Sequence, residues 1–113
     1  MSERGIKVLV VDDSATLRRL LAQALAGDPA SEVMTATCDA VLALGQMRKR
    51  WPDVLLLDIE TRRMDAISFL RRVIAERPTP IVICSSAANL RAPTTLAAIA
   101  AGAVSVVARP ASG

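Results

Sequence analysis

Short runs of β-branched and leucine residues alternate along this chain with longer stretches whose apolar residues recur at helical spacing. Ile6-Lys7-Val8-Leu9-Val10-Val11 is almost wholly apolar and stops abruptly at Asp12-Asp13-Ser14. Such a run predicts a strand covered on both faces. Ser14 can cap a following helix in which Leu17, Leu20, Leu21, Ala24 and Leu25 share one face, Arg18, Arg19 and Gln23 take others, and Gly27-Asp28-Pro29 gives the stop.

The pattern then repeats, though the sequence does not. Residues 33 to 37 read as a short strand, and Asp39 caps a helix carrying Val41, Leu44 and Met47. Trp51-Pro52 ends that helix, because the residue before a proline is pushed out of the α region. Residues 54 to 58, Val-Leu-Leu-Leu-Asp, predict a central strand. The spacing from about Asp65 to Glu76 predicts a helix that buries Ile67, Leu70, Val73 and Ile74 and exposes Arg71, Arg72 and Glu76. Pro78-Thr79-Pro80 closes it. Residues 81 to 84 form the fourth strand, Pro93 to Ala101 a small-residue helix with Gly102 as its cap, and residues 103 to 108 the fifth strand before Arg109-Pro110.

Strands alternating with helices of this length define an α/β fold with a mostly parallel sheet, helices on both faces and right-handed crossovers. A fifth helix would cover the last strand, yet only Ala111-Ser112-Gly113 follow. The expectation is a single domain over residues 1 to 113, cut before its last helix or covered there by a partner, with a sticky final edge open to a second copy.

Composition narrows the function. With 113 residues there is room for one core. One Trp, one Phe and no Tyr leave no aromatic platform for nucleic-acid stacking. The net charge of +3 comes from basic pairs scattered over helices and loops, which reads as solvated surface, so nucleic acid is not an expected partner. No apolar run approaches the roughly 18 residues of a membrane span, and no signal peptide is visible, which favours the cytoplasm. Without any His, a His-dependent triad is excluded and a zinc set of His and Cys cannot form. Cys38 and Cys84 read as reduced, buried small residues.

The chemistry gathers beyond the carboxyl ends of the predicted strands, where open parallel sheets bind their ligands. Those ends carry Asp12 and Asp13, Asp58 with Glu60, Ser85 with Ser86, and Arg109. Carboxylates crowded together raise one another's pKa unless a cation offsets them. Oxygen donors without His or Cys suit Mg²⁺, or Mn²⁺, rather than zinc. One carboxylate could then attack phosphorus while the metal, a cation and hydroxyl donors stabilise the equatorial oxygens. Each residue also admits a plainer reading: Asp12 to Ser14 as loop and cap, Asp58 as a strand-end turn, Ser85-Ser86 as a polar loop, Arg109 as a surface cation. Their coincidence at the strand ends favours the chemical one.

These runs resemble a known family. Val8-Leu9-Val10-Val11-Asp12-Asp13-Ser14, Pro52-Asp53-Val54-Leu55-Leu56-Leu57-Asp58-Ile59-Glu60, Arg63-Met64-Asp65, Thr79-Pro80-Ile81-Val82-Ile83-Cys84-Ser85-Ser86 and Ala101-Gly102-Ala103 ahead of Arg109-Pro110 are similar to the receiver domain of two-component response regulators. The likeness is greatest to the receiver at the N-terminus of the chemotaxis protein-glutamate methylesterase. It implies a doubly wound, flavodoxin-like sheet of five parallel strands in the order 2-1-3-4-5, here without its last helix. It implies Asp58 as phosphoacceptor, Asp13 as a direct Mg²⁺ ligand, Asp12 as a ligand through water, and Glu60 as a ligand through its backbone carbonyl, its carboxylate not needing to touch the ion. Ser85 matches the switch hydroxyl that moves towards the phosphoryl group. The implied partners are a chemotaxis-type histidine kinase and a C-terminal output domain of the parent protein, a methylesterase whose catalytic part has no room here.

The chain departs from the family in three places. Thr61-Arg62-Arg63-Met64-Asp65-Ala66 replaces a loop of the form Met-Pro-x-Met-Asp-Gly. Arg109 stands where a Lys is nearly universal, and the planar fork of Arg differs in reach from an ammonium. Val106 occupies the position of an aromatic that rotates inward on switching. These departures predict phosphorylation with weaker coupling to output. They leave two alternatives: a degenerate receiver acting as a phosphorylation-independent interaction module, or the receiver of a DNA-binding regulator, although no helix-turn-helix unit is present. No external metabolite is implied as a substrate; the one reaction expected of the chain itself is hydrolysis of its own acyl phosphate.

Overall fold

The structure is a computed structural model that describes residues 5–12, 19, 23, 31–36, 39–61 and 64–108. Five strands, β1 (Ile6–Val11), β2 (Ser31–Ala36), β3 (Val54–Asp58), β4 (Ile81–Ser85) and β5 (Ser105–Ala108), form one sheet in the order β2-β1-β3-β4-β5. Every pairing is parallel. Three helices, α1 (Ala40–Lys49), α2 (Ala66–Glu76) and α3 (Pro93–Ala101), connect β2 to β5 in turn. Arg19 and Gln23, in the connection from β1 to β2, are also helical. The doubly wound architecture expected from the sequence is therefore present.

Direction of travel through the sheet decides where a site can form. From β2 the chain crosses to β3, β4 and β5 in one direction, whereas β1 to β2 runs the opposite way. Right-handed crossovers then put α1 to α3 on one face, and the reversal of direction at β1 leaves a crevice between β1 and β3 at their carboxyl ends.

Local chemistry sets the helix boundaries. The Asp39 carboxylate accepts from the Leu42 amide at 3.0 Å and the Asp65 carboxylate from the Ser68 amide at 3.1 Å, so both helices begin at an aspartate cap. Each such cap contributes about 1 kcal/mol. Pro93 opens α3 and Gly102 closes it with φ at 128°, a conformation that a Cβ would strain and in which the added carbon would come within 2.6 Å of Ile74 Cδ1.

The core is one cluster in which Leu9, Val11, Leu55, Leu57, Ile81 and Ile83 of the sheet meet Leu44 and Met47 of α1 and Phe69, Leu70 and Val73 of α2. Several sequence expectations shift here. In α1 the buried stripe is Ala43, Leu44 and Met47, and Val41 is 76% exposed, because it lies about a third of a turn off that stripe. In α2 the buried line is Ala66, Phe69, Leu70 and Val73; Ile67 and Ile74 flank it and are only partly covered. The second strand covers Ser31–Ala36 rather than 33 to 37, the fourth extends through Ser85, and the fifth begins at Ser105 rather than 103. A 3-10 turn at Ala87–Asn89, not anticipated from the pattern, follows β4.

The basic residues before β3 are partly used in structure. Both Arg48 nitrogens facing α2 donate to the Glu76 carboxylate at 2.8 Å, and Arg50 makes a forked pair with Glu32 of β2. Such exposed pairs add little stability, but they reduce the positive surface available to a polyanion. Leu96, Ile99, Val104 and Val107 are exposed on α3, β5 and the turn between them, where the sequence predicted an uncovered region. Cys84 is buried and in no disulfide; Cys38 lies outside the described residues. No helix among the described residues is long and apolar enough to cross a membrane.

Candidate phosphoacceptor site

β1 ends in Val11, paired with Leu57 of β3, so the residues one step further along, Asp12 and Asp58, sit side by side at the mouth of the crevice. Neighbouring strands are only about 4.8 Å apart. Both carboxylates are buried, Asp12 at 1% exposure and Asp58 at 2%. On the other side of β3, Asp58 pairs with Cys84, and the next residue of β4, Ser85, is fully buried. Three of the predicted site residues thus come from the ends of three adjacent strands.

Backbone geometry holds the central carboxylate. β3 gives way to a turn directly after Asp58, and the Glu60 amide donates to Asp58 Oδ1 at 2.8 Å. This two-residue return fixes one carboxylate oxygen on the chain and holds the Glu60 backbone beside Asp58.

The Glu60 side chain has a task that the sequence did not reveal. Its Oε2 accepts from Ser85 Oγ at 3.0 Å, from the Ser86 amide at 3.1 Å, from Ser86 Oγ at 2.9 Å and from Asn89 Nδ2 at 2.9 Å. Burial opposes ionisation of this carboxyl, yet the donors on Asn89, Ser86 and Ser85 more than offset it and hold its pKa down at about 2. The anion is thus retained throughout the neutral range. Ser85, expected as the switch hydroxyl, therefore donates here to Glu60, with the Ser86 carbonyl as a longer second acceptor at 3.3 Å. Asn89 was not among the residues singled out from sequence; its signal is the spacing Ser86-x-x-Asn89 after a strand end, which turns two donors back towards one acceptor.

Asp13, Arg62 and Arg109 lie outside the described residues. Ala108, which Arg109 follows in the chain, pairs with Ser85 in register. Val106 is half-buried against the core, as an aliphatic residue in that slot can be. Among the described residues no three potential ligand side chains form a metal cluster, since the expected set includes Asp13. The described oxygen donors, two buried carboxylates side by side from Asp12 and Asp58, suit a hard divalent ion.

A parallel sheet in the order 2-1-3-4-5 with buried aspartates at its switch point is a doubly wound, flavodoxin-like α/β domain, and comparison with known proteins gives the family. The sequence profile of the response regulator receiver domain matches residues 8–113, and the chain belongs to that family. Members of the family take a phosphoryl group on an aspartate with Mg²⁺. The chain is 55% identical over 108 residues to a protein-glutamate methylesterase/protein-glutamine glutaminase of Dechloromonas aromatica, covering 96% of this chain and 30% of that protein. It is 53% identical over 108 residues to the protein of the same name in Hahella chejuensis, covering 96% and 29%. The chain therefore spans under a third of the length of these relatives. Among solved structures, the response regulator domain of Thermotoga maritima CheB superposes with a TM-score of 0.81 at 33% identity, over 95% of this chain and 80% of that one. A chain in the structure of the P1 domain of CheA3 in complex with CheY6 from R. sphaeroides gives 0.79 at 31% identity, over 96% and 84%.

Proposed function

We propose that Asp58 is the phosphoacceptor of a chemotaxis-type receiver and that its phosphorylation controls a methylesterase output domain in the parent protein. The observation that carries this reading is the burial of Asp58 beside Asp12 at the switch point of the sheet, on a strand end that opens into the crevice. The donor is a phosphohistidine of a histidine kinase. An Asp58 carboxylate oxygen attacks phosphorus; the new O–P bond forms as the P–N bond breaks, and the imidazole nitrogen keeps the electron pair and takes up a proton. The product is an acyl phosphate on Asp58.

Asp12, Asp13, Asp58 and the Glu60 carbonyl would hold Mg²⁺, which when bound offsets negative charge on the phosphoryl oxygens. Asp58 itself is held for reaction by the Glu60 amide on Oδ1. Ser85, in register with the end of β5, carries the hydroxyl that follows the phosphoryl group, and Arg109 supplies the cation that a Lys supplies elsewhere in the family. The methylesterase assignment is supported by the names of the relatives, and the kinase by the CheA3 and CheY6 complex among the structural neighbours. The exposed apolar residues of α3 and β5 are proposed as the surface on which the output domain, or a second copy, packs. The cytoplasm is the compartment this role requires.

Intact-mass analysis after incubation with acetyl phosphate and Mg²⁺ tests the acceptor. One added phosphoryl group is expected on the chain and none on Asp58→Asn. A folded wild-type protein that gains no mass would overturn the reading.

A further inference from the structure

Ser85 has a single hydroxyl proton, and the nearer of its two acceptors is the Glu60 carboxylate, at 3.0 Å against 3.3 Å for the Ser86 carbonyl. The same Glu60 oxygen also holds the Ser86 amide, the Ser86 hydroxyl and the Asn89 amide group, so one atom ties the end of β4 to the 3-10 turn after it. The tie continues into α3: the Asn89 carbonyl accepts from the Thr95 hydroxyl at 2.8 Å and from the Ala92 amide at 3.0 Å, and Thr95 is buried within the helix. A hydrogen-bonded path therefore runs from the residue two positions past Asp58 to the helix that exposes Leu96 and Ile99. A cavity of about 280 Å³, lined by Ile59, Glu60, Asn89, Ala92, Thr94 and Thr95, lies along this path and gives the loop room to rearrange.

We propose that Glu60 is a latch: a positioning residue that holds Ser85, Ser86 and Asn89 in the unphosphorylated arrangement and must release the Ser85 hydroxyl before the segment 86–92 and α3 can move. This deepens the proposed function and rests on Asp58 as acceptor. A phosphoryl group on Asp58 changes the competition in two ways. It offers Ser85 a more highly charged acceptor, and it sets a second anion near the Glu60 carboxylate, which weakens the latch by like-charge repulsion. The four donors share one acceptor atom, so a shift of the Glu60 carboxylate weakens all four contacts.

Amide hydrogen exchange on the wild type, Glu60→Ala and Asn89→Ala, each with and without phosphorylation, tests the latch. In the unphosphorylated state, Glu60→Ala is expected to exchange at Ser86 and over 89–92 at least about tenfold faster than the wild type, with β3 and β4 amides unchanged. Asn89→Ala, which removes one donor and leaves the acceptor, is expected to show a smaller change in the same segment. Phosphorylation should accelerate exchange over 86–92 in the wild type and add little in Glu60→Ala, whereas a merely structural role for Glu60 would shift both proteins in parallel. Equal protection over 86–92 in wild type and Glu60→Ala, with the sheet intact, overturns the latch, as does a parallel shift. The intact mass of each phosphorylated sample separates the two ideas: an unchanged mass counts against Asp58 as acceptor, and an added phosphoryl group with no loop response counts against Glu60 as latch.

Discussion

Phe69→Ala is expected to leave the domain close to its unfolding threshold at 37 °C. Phe69 is the sole phenylalanine of the chain and is 2% exposed, in the cluster that joins α2 to β3 and β4. Truncating a buried Phe costs roughly 3–5 kcal/mol, the sum of lost transfer energy and the cavity left behind. Domains of this size hold only about 5–15 kcal/mol in total. Because α2 packs on α3 as well as on the sheet, the neighbouring helix has little freedom to close the gap. The midpoint of a thermal melt followed by circular dichroism is expected to fall on the order of 15–25 °C. A fall below about 5 °C would mean that Phe69 does not anchor this cluster, and Phe69→Leu, which keeps most of the volume, should lose much less.

The second large effect has opposite signs with and without metal. Asp12 and Asp58 are buried next to each other, so two negative charges there repel unless a cation lies between them. Asp12→Asn removes one charge while nearly preserving shape. Without Mg²⁺ the variant is expected to melt a few degrees higher than the wild type, a gain on the order of 1 kcal/mol. At a Mg²⁺ concentration about a hundredfold above the dissociation constant, the wild type gains about 2.7 kcal/mol from binding, and the variant gains far less. The order of the two melting curves should therefore reverse as Mg²⁺ is added. Curves that rise in parallel would show that Asp12 takes no part in holding the ion.

How much of this was legible in the sequence depends on the kind of interaction involved. The strands show because a doubly covered strand has to be apolar throughout, and Val54 to Asp58 reads as one without any neighbour in view. Asp12 and Asp58 are legible for a related reason: a charged residue ending an apolar run has few places to go except the carboxyl edge of the sheet. Helix phase is less secure. Val41 and Leu42 are both apolar and both exposed, so the pattern of α1 admits more than one face until the sheet selects Ala43, Leu44 and Met47. The glutamate network was hidden more deeply. Glu60 and Asn89 are 29 positions apart, and nothing local tells a carboxylate at a turn that it will collect four donors from another loop. The sequence placed Ser85 correctly at a strand end, but which acceptor its hydroxyl meets is a property of two loops packed together.

The surroundings of Trp51 carry a practical consequence. The indole Nε1 donates to Thr79 Oγ1 at 2.8 Å, that hydroxyl donates in turn to the Arg77 carbonyl, and the Arg77 guanidinium stacks 4.8 Å from the ring centroid. All of this lies before β3 and β4 begin, at the opposite end of the sheet from Asp58, so at least the length of β3, about 13 Å, separates them. The chain's one indole fluorophore is therefore a reporter of whether the sheet is assembled and is insulated from the chemistry at the crevice. Its emission should follow denaturation faithfully and stay silent on signalling state, so an optical readout of phosphorylation would require a second fluorophore introduced on the 86–92 segment.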